Sequence, residues 1–220
     1  MNYEQMNNNQ LTLTGVVSKV PKFSHEVFKE GFFETSLSVT RLSGQVDEVP
    51  ITVSERLLLQ HDIKVGDRIS VVGQFRSYNK VEGEKSRLLL TAFVRDIVEV
   101  DSVNSNNIEI IGYVCKMPVY RTTPFKREIC DMLIAVNRAY NKSDYIPCIL
   151  WGRNARFSST LSIGTKLALT GRIQSRTYVK TLEDMSTQER VAYEVSVSKI
   201  EVVPEDFDDK EKSRIASTLF

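Results

Sequence analysis

The chain repeats itself once, with a shift of 97 residues. The two copies share apolar segments together with glycines and prolines at corresponding positions. The matches are LTLTGVVSKVP (11–21) with IEIIGYVCKMP (108–118), LSVTR (37–41) with IAVNR (134–138), and Gly15, Pro21 and Pro50 with Gly112, Pro118 and Pro147. A repeat of this period means that one structural unit is used twice. A chain of 220 residues is long enough for two such units, each with its own core.

The repeat divides the chain into two modules. We predict a first module at residues 1–101, a linker at 102–107, a second module at 108–203 and a flexible C-terminal tail at 204–220. The linker is predicted from the polar run DSVNSNN, which contributes nothing to a core. The tail is predicted from its charged composition.

Apolar and polar residues alternate in both modules, which is typical of strands with one buried face. In the second module, the alternation runs through 132–136 and 146–150, and a short helix is predicted at 153–161. Its counterpart in the first module is 54–62. Three strands, a helix and two strands predict an all-β chain of two tandem OB-folds, each a five-stranded Greek-key barrel with a short helix between strands 3 and 4. A seven-stranded sandwich is the alternative.

The second module places aromatic and cationic side chains on the strand faces opposite its predicted core. One face of the third strand carries Tyr145, Pro147, Ile149 and Trp151. One face of the fourth strand and its extension carries Arg172, Gln174, Arg176 and Tyr178. Aromatic rings stack on bases of any sequence, while Arg and Lys contact phosphates. The joint pattern indicates a surface for an unpaired nucleic-acid strand. For any single ring, a dimer interface or simple β-propensity is the alternative.

The first module lacks most of these rings. Residues 106–203 carry 14 Lys and Arg against 9 Asp and Glu, a net charge of +5, whereas residues 11–101 carry 12 against 13. Only Tyr178 has an aromatic counterpart, Tyr78, which lies two residues after Arg76. We therefore predict that the first module is a degenerate OB-fold with a role in assembly, and leave open weak binding through Arg76, Tyr78 and Arg87. The positions corresponding to the other rings are Ser43, Glu48 and Ser54.

The second module resembles bacterial single-stranded DNA-binding proteins along its whole length. The matching segments are LIAVNRAY, DYIPCILWGRNA and, most specifically, GRIQSRTY followed by YEV. The resemblance implies four aromatic rings that stack on bases and several basic side chains that contact phosphates. The rings are Tyr140, Tyr145, Trp151 and Tyr178, and the basic residues are Arg121, Arg153 and Arg176, with Lys116, Arg138 and Arg172 as neighbours.

The resemblance also implies a function and partners. The implied function is sequence-tolerant binding of single-stranded DNA in replication, recombination and repair. The implied partner is a second copy of the chain, in a homodimer that presents four OB-folds. Proteins of this family recruit replication and repair enzymes through an acidic C-terminal tip, and Phe220 is the candidate contact here, although basic residues separate it from the acidic cluster at 205–209. The alternative is a replication-restart accessory or protein-interaction OB module, plasmid or mobile-element borne, with weak or RNA-directed binding.

Composition and motifs argue against other classes of function. No apolar run approaches the roughly 18 residues that span a membrane, and no secretory signal is present, so we expect a cytoplasmic protein without a membrane partner. Cys115, Cys130 and Cys148 lack the spacing of a metal site, and we expect no metal or cofactor. His25 and His61 stand in no recognisable catalytic context, which predicts that the chain is not an enzyme.

Overall fold

The computed structural model describes residues 7–82, 85–100, 105–181 and 185–204, which form an almost entirely β structure. The first module consists of β1 (Asn9–Val17), β2 (Lys22–Val27), β3 (Glu30–Thr40), β4 (Val46–Ser54), α1 (Glu55–His61), β5 (Arg68–Glu82) and β6 (Lys85–Val98). The second consists of β7 (Asn106–Val114), β8 (Val119–Thr122), β9 (Glu128–Arg138), β10 (Lys142–Trp151), α2 (Gly152–Ser158), β11 (Lys166–Thr181) and β12 (Thr187–Val202). Neither helix among these residues is long and apolar enough to cross a membrane.

Each module closes into a five-stranded barrel. In the second module, the strands follow the order β7-β11-β12-β10-β9, and β9 returns to pair with β7. The first module repeats this order as β1-β5-β6-β4-β3, and β3 returns to β1. The pairs β4–β6 and β10–β12 are parallel, as the long connections of a Greek-key barrel require. The predicted all-β fold of two tandem OB-folds is confirmed.

The sequence did not predict the short strands β2 and β8. Each pairs with the following long strand, β3 or β9, as the first arm of a hairpin. All residues of β2 and β8 are exposed, so neither strand shows the alternation that identifies a half-buried strand. These hairpins extend each barrel beyond its five core strands.

The repeated glycines lie where each barrel closes. A Cβ atom on Gly112 of β7 would come within 2.6 Å of the carbonyl oxygen of Ala135 on β9. A Cβ atom on Gly15 of β1 would come within 2.7 Å of the carbonyl oxygen of Ser38 on β3. Any larger residue would push the strands apart, which explains why the two copies share a glycine at this position.

The two barrels form one continuous sheet of twelve strands. β1 pairs antiparallel with β7, from Asn9 opposite Ile110 to Leu13 opposite Asn106. Asn106 and Asn107, predicted to end the linker, therefore lie inside a strand, and the second module begins two residues earlier than predicted. Main-chain hydrogen bonds between β1 and β7 hold the modules together.

Two buried aspartates, each ion-paired within its own module, join the modules with the symmetry of the repeat. In the first module, Asp47 accepts hydrogen bonds from the Nε of Arg41 at 2.6 Å and from the backbone N–H of Ser175 in the second module at 2.7 Å. The Ser175 hydroxyl donates to the same carboxylate at 2.8 Å. Burial alone would raise the pKa of Asp47, but the hydrogen bonds from Arg41 and Ser175 outweigh it and hold that pKa below its usual range.

The reciprocal contact is weaker. Asp144 of the second module accepts hydrogen bonds from the Nη1 of Arg138 at 3.1 Å and from the backbone N–H of Ser77 in the first module at 2.8 Å. Both bonds use Oδ1, and Oδ2 of Asp144 is buried without a partner. Arg138, predicted to neighbour the phosphate contacts, thus has a structural role as the partner of a buried carboxylate.

Candidate nucleic-acid interface

The outward face of β10 carries two of the four predicted rings. Tyr145 and Trp151 are 42% and 39% exposed, and their separation of six residues along a strand corresponds to about 20 Å. The predicted outward face is interrupted between them, because Ile149 is only 4% exposed. The rings therefore stand at the two ends of the strand rather than in a continuous row.

A first group of candidate residues, here called the Trp151 cluster, comprises Arg121, Trp151 and Arg153. Trp151 and Arg121 pair with the same residue of β9, Ile129, from its two sides, so their backbones lie about 10 Å apart. Arg121 donates to Asp131 at 2.8 Å, and both side chains are partly exposed. Arg153, in the first turn of α2, is exposed and forms no ion pair with a described residue.

A second group, here called the Tyr145 cluster, comprises Tyr140, Tyr145, Arg176 and Tyr178. Tyr145 lies three residues before Cys148, which pairs with Val195 of β12, and Arg176 of β11 pairs with Ala192, three residues before Val195. The Arg176 guanidinium lies 5.9 Å from the centroid of the Tyr178 ring and 3.7 Å from the Glu194 carboxylate. Tyr140 is 89% exposed in the turn between β9 and β10, where its φ of 61° is left-handed.

The remaining predicted positions lie outside these clusters. Lys116 is exposed in the turn between β7 and β8, and Arg172 is exposed on β11 opposite Ser196. Gln174, which the alternation placed on the same outward face as Arg172, is buried and donates to Glu194 at 2.9 Å. Phe220 lies outside the described residues. Among the described residues, no group of three or more His, Cys, Asp or Glu is arranged to hold a metal ion.

The structure changes the alignment of the two modules at β5 and β11. Ser77 and Ser175 occupy the same position, because each donates its backbone N–H to the buried aspartate of the other module. Tyr78 therefore corresponds to Arg176 and not, as the sequence suggested, to Tyr178. By the same register, Arg76 corresponds to Gln174.

The first module has aromatic side chains of its own at other positions, which the sequence analysis missed. His25 of β2 stacks on Phe32 of β3, with ring centroids 5.2 Å apart, and Phe32 lies 5.6 Å from Phe93 of β6. The guanidinium carbon of Arg76 lies 3.7 Å from the centroid of Phe93. Phe32 and Phe93 belong to the apolar segments GFF and LLLTAFV, whose composition gives no sign that these two rings are only partly buried.

Residues 105–203 match the single-strand binding protein family. The match spans the strands β7 to β12 of the second module. This module is 34% identical over 80 residues to the single-stranded DNA-binding protein 1 of Staphylococcus aureus (strain COL), an alignment that covers 33% of this chain and 48% of that protein. It is 31% identical over 80 residues to the single-stranded DNA-binding protein of Clostridium tetani, covering 33% and 55%. The chain thus spans about half the length of these curated relatives.

Solved structures share the whole two-module arrangement of this chain. The wild-type single-stranded DNA-binding protein from Thermus aquaticus matches with a TM-score of 0.64 and 20% identity, over 90% of this chain and 94% of that chain. A deletion mutant of the same protein matches with a TM-score of 0.67 and 21% identity, over 90% and 96%. At this identity, the likeness establishes the tandem fold alone.

Proposed function

We propose that the chain binds single-stranded DNA without sequence preference along the outward face of the second module, in replication, recombination and repair. The observation that carries this proposal is the pair of clusters at the two ends of β10, in which exposed rings stand beside cations. Rings offer stacking platforms to any base, and the cations contact the phosphates between them. The match of residues 105–203 to the single-strand binding protein family supports the same function.

The cations of the interface differ in how readily they can contact a phosphate. Arg153 is exposed and without an ion pair to a described residue. Arg121 is paired with a partly exposed carboxylate, and exposed ion pairs contribute little, so a phosphate can replace that partner. Arg138, in contrast, is bound to the fully buried Asp144 and is expected to keep that bond when DNA binds.

Fluorescence of Trp151, the single tryptophan of the chain, tests the proposal directly. We expect oligo-dT to quench it strongly and duplex DNA to quench it weakly, because paired bases cannot stack on the ring. The logarithm of the affinity should fall with the logarithm of salt concentration by about 0.7 for each phosphate contacted.

Three results of this titration would contradict parts of the proposal. Absence of quenching and of binding at low salt would favour the protein-interaction alternative. Tighter binding of an RNA oligomer of matched sequence would favour an RNA ligand. Shortening of oligo-dT during incubation with Mg²⁺ would show that the chain is an enzyme, contrary to the proposal.

We also propose that two chains associate, so that four OB-folds are presented to one DNA strand. The tandem fold supplies two barrels per chain, and the relation to the single-strand binding protein family supports this assembly. Sedimentation equilibrium should then give a mass twice the 25.1 kDa of one chain. A mass equal to one chain at micromolar concentration would overturn this part of the proposal. The role of Phe220 in binding replication and repair proteins stays a prediction.

A further inference from the structure

A cleft of about 340 Å³ opens on the first module next to the Tyr145 cluster. Its walls come from β2, β3, β4, β5 and β6, and Arg138 of the second module closes one side. The volume is in the range of small-ligand sites. The candidate interface described above does not include this cleft.

Arg76 is the central cation of the cleft and has no carboxylate partner among the described residues. Its guanidinium lies over Phe93, and its hydrogen bonds go to the side-chain oxygen of Gln74, at 2.9 and 3.2 Å. Burial lowers the pKa of Arg76 to about 10, and the neighbouring positive charges of Arg138 and Arg95 add to this effect, although Asp144 opposes it. A half-buried cation without a counterion is stabilised when an anion binds to it.

The second module has the opposite charge arrangement at the equivalent place. Gln174 stands at the position of Arg76, and the strand register places Glu194 at the position of Thr91. Gln174 donates to Glu194 at 2.9 Å, so an amide and a carboxylate fill that site. At the equivalent site of the first module, the guanidinium of Arg76 and the hydroxyl of Thr91 stand in place of this amide and carboxylate. This site of the first module therefore carries a positive charge where the equivalent site of the second module carries a negative charge.

Aromatic rings lie beside this cation. Phe93 lines the cleft beneath Arg76, and His25 and Phe32 continue the series of rings away from it. Tyr78, 41% exposed, lines the cleft as well, and its hydroxyl donates to Glu34 at 3.3 Å. A cation next to rings is the combination that suits a nucleotide, with phosphate on the guanidinium and base against a ring.

The cleft is continuous with the candidate interface of the second module. Ser77 lines the cleft, and its hydroxyl accepts a hydrogen bond from the backbone N–H of Tyr145 at 2.7 Å. Arg138 lines the cleft and binds Asp144, the residue before Tyr145. A strand that stacks on Tyr145 can therefore enter the cleft without crossing an intervening element.

We propose that this cleft is a second site for the same single-stranded DNA, in which Arg76 holds a phosphodiester and the rings of the first module contact a base. Arg138 adds positive charge to the cleft while it keeps its bond to Asp144. The inference rests on the proposed function of the second module. It gives the first module a direct part in binding, in addition to its contribution to the sheet that joins the two barrels.

The test compares Arg76→Gln with Arg56→Gln in the full-length chain. Arg56→Gln removes the same charge from the exposed surface of α1, outside the cleft. We expect Arg76→Gln to weaken binding of an oligo-dT of about 32 nucleotides, long enough for two OB-folds, by about tenfold, and to reduce the salt slope by about 0.7. An oligo-dT of about 8 nucleotides, which fits one OB-fold, should quench Trp151 equally in all three proteins.

Failure of the inference can be distinguished from failure of the proposed function. If the wild type binds both lengths and Arg76→Gln has the affinity and salt slope of Arg56→Gln, the cleft is not a DNA site. If the wild type binds neither length, the proposed function itself is wrong. Gln is the residue that the second module carries at this position, so the substitution is compatible with the fold. Phe93→Ser, which copies Ser196 of the second module, should reproduce the loss for the long strand.

Discussion

Replacement of both Trp151 and Tyr145 by alanine is expected to weaken binding of oligo-dT by at least about thirtyfold. Each stacked base contributes about 1–3 kcal/mol, and the two rings stand about 20 Å apart, so they contact different bases and their contributions should add. Because the double variant lacks the tryptophan, the affinity is measured from the fluorescence anisotropy of a labelled oligo-dT.

Phe157→Ala is the matched control for this prediction. Phe157 is 42% exposed on α2, so its removal deletes a comparable ring that belongs to neither cluster. Its affinity for oligo-dT should equal that of the wild type. Unchanged affinity in the double variant would show that the clusters of β10 are not the binding surface. Urea unfolding of each variant separates loss of the site from loss of the fold.

The substitution Asp47→Ala is expected to lower the free energy of unfolding by about 3–5 kcal/mol, as is typical when one partner of a buried ion pair is removed. The side chain of Asp47 is fully buried. Its loss leaves the guanidinium of Arg41 and the backbone N–H and hydroxyl of Ser175 without their acceptor, at the contact between the modules. Urea unfolding at about pH 7 measures the change.

Comparison with other aspartates makes this prediction specific. Asp144→Ala should lower the free energy of unfolding by less than Asp47→Ala does. Asp144 makes longer and fewer hydrogen bonds, and one of its oxygens already has no partner. Asp62→Asn removes the charge of an exposed ion pair with Lys64 and keeps a side chain that tolerates the left-handed backbone at this position, so it should leave stability unchanged. An Asp47→Ala variant as stable as Asp62→Asn would contradict the structural role of the buried pair.

The decrease in the free energy of unfolding caused by Asp47→Ala should also depend on pH. The pKa of Asp47 is lower in the folded chain than the value of about 3.9 expected after unfolding. A carboxylate of this kind stabilises the fold above its unfolded pKa, and the stabilisation is lost as pH falls through the folded pKa. The difference in stability between wild type and variant should therefore shrink as pH is lowered below about 4.

The fold followed from the sequence wherever one face of an element is buried. The core side chains of β4 and β10 alternate with outward ones, and this period predicted both barrels and the positions of both helices. The prediction from this alternation failed where buried and exposed residues do not alternate along a strand. β2 and β8 have no buried face, whereas Ile149 and Gln174 are buried on faces that the alternation placed in solvent.

The candidate site was predictable to the extent that it lies within one module. Tyr145 and Trp151 are two of the exposed rings on the outward side of a barrel, and a single strand is enough to place them. The structural role of Arg138 was not predictable, because its buried partner, Asp144, is held by Ser77 of the other module. A sequence pattern within one strand carries no information about a contact that joins distant strands.

By itself, the sequence determined that this chain is built from one β unit used twice, because a buried strand face imposes a period of two on whatever sequence forms it. The tertiary structure decided how the two units meet. The pairing of β1 with β7, the exchanged contacts of Asp47 and Asp144, and the cleft around Arg76 depend on residues that lie far apart in the chain. Such contacts depend on the relative position of two barrels, and a local pattern of apolar residues specifies only the inside of each.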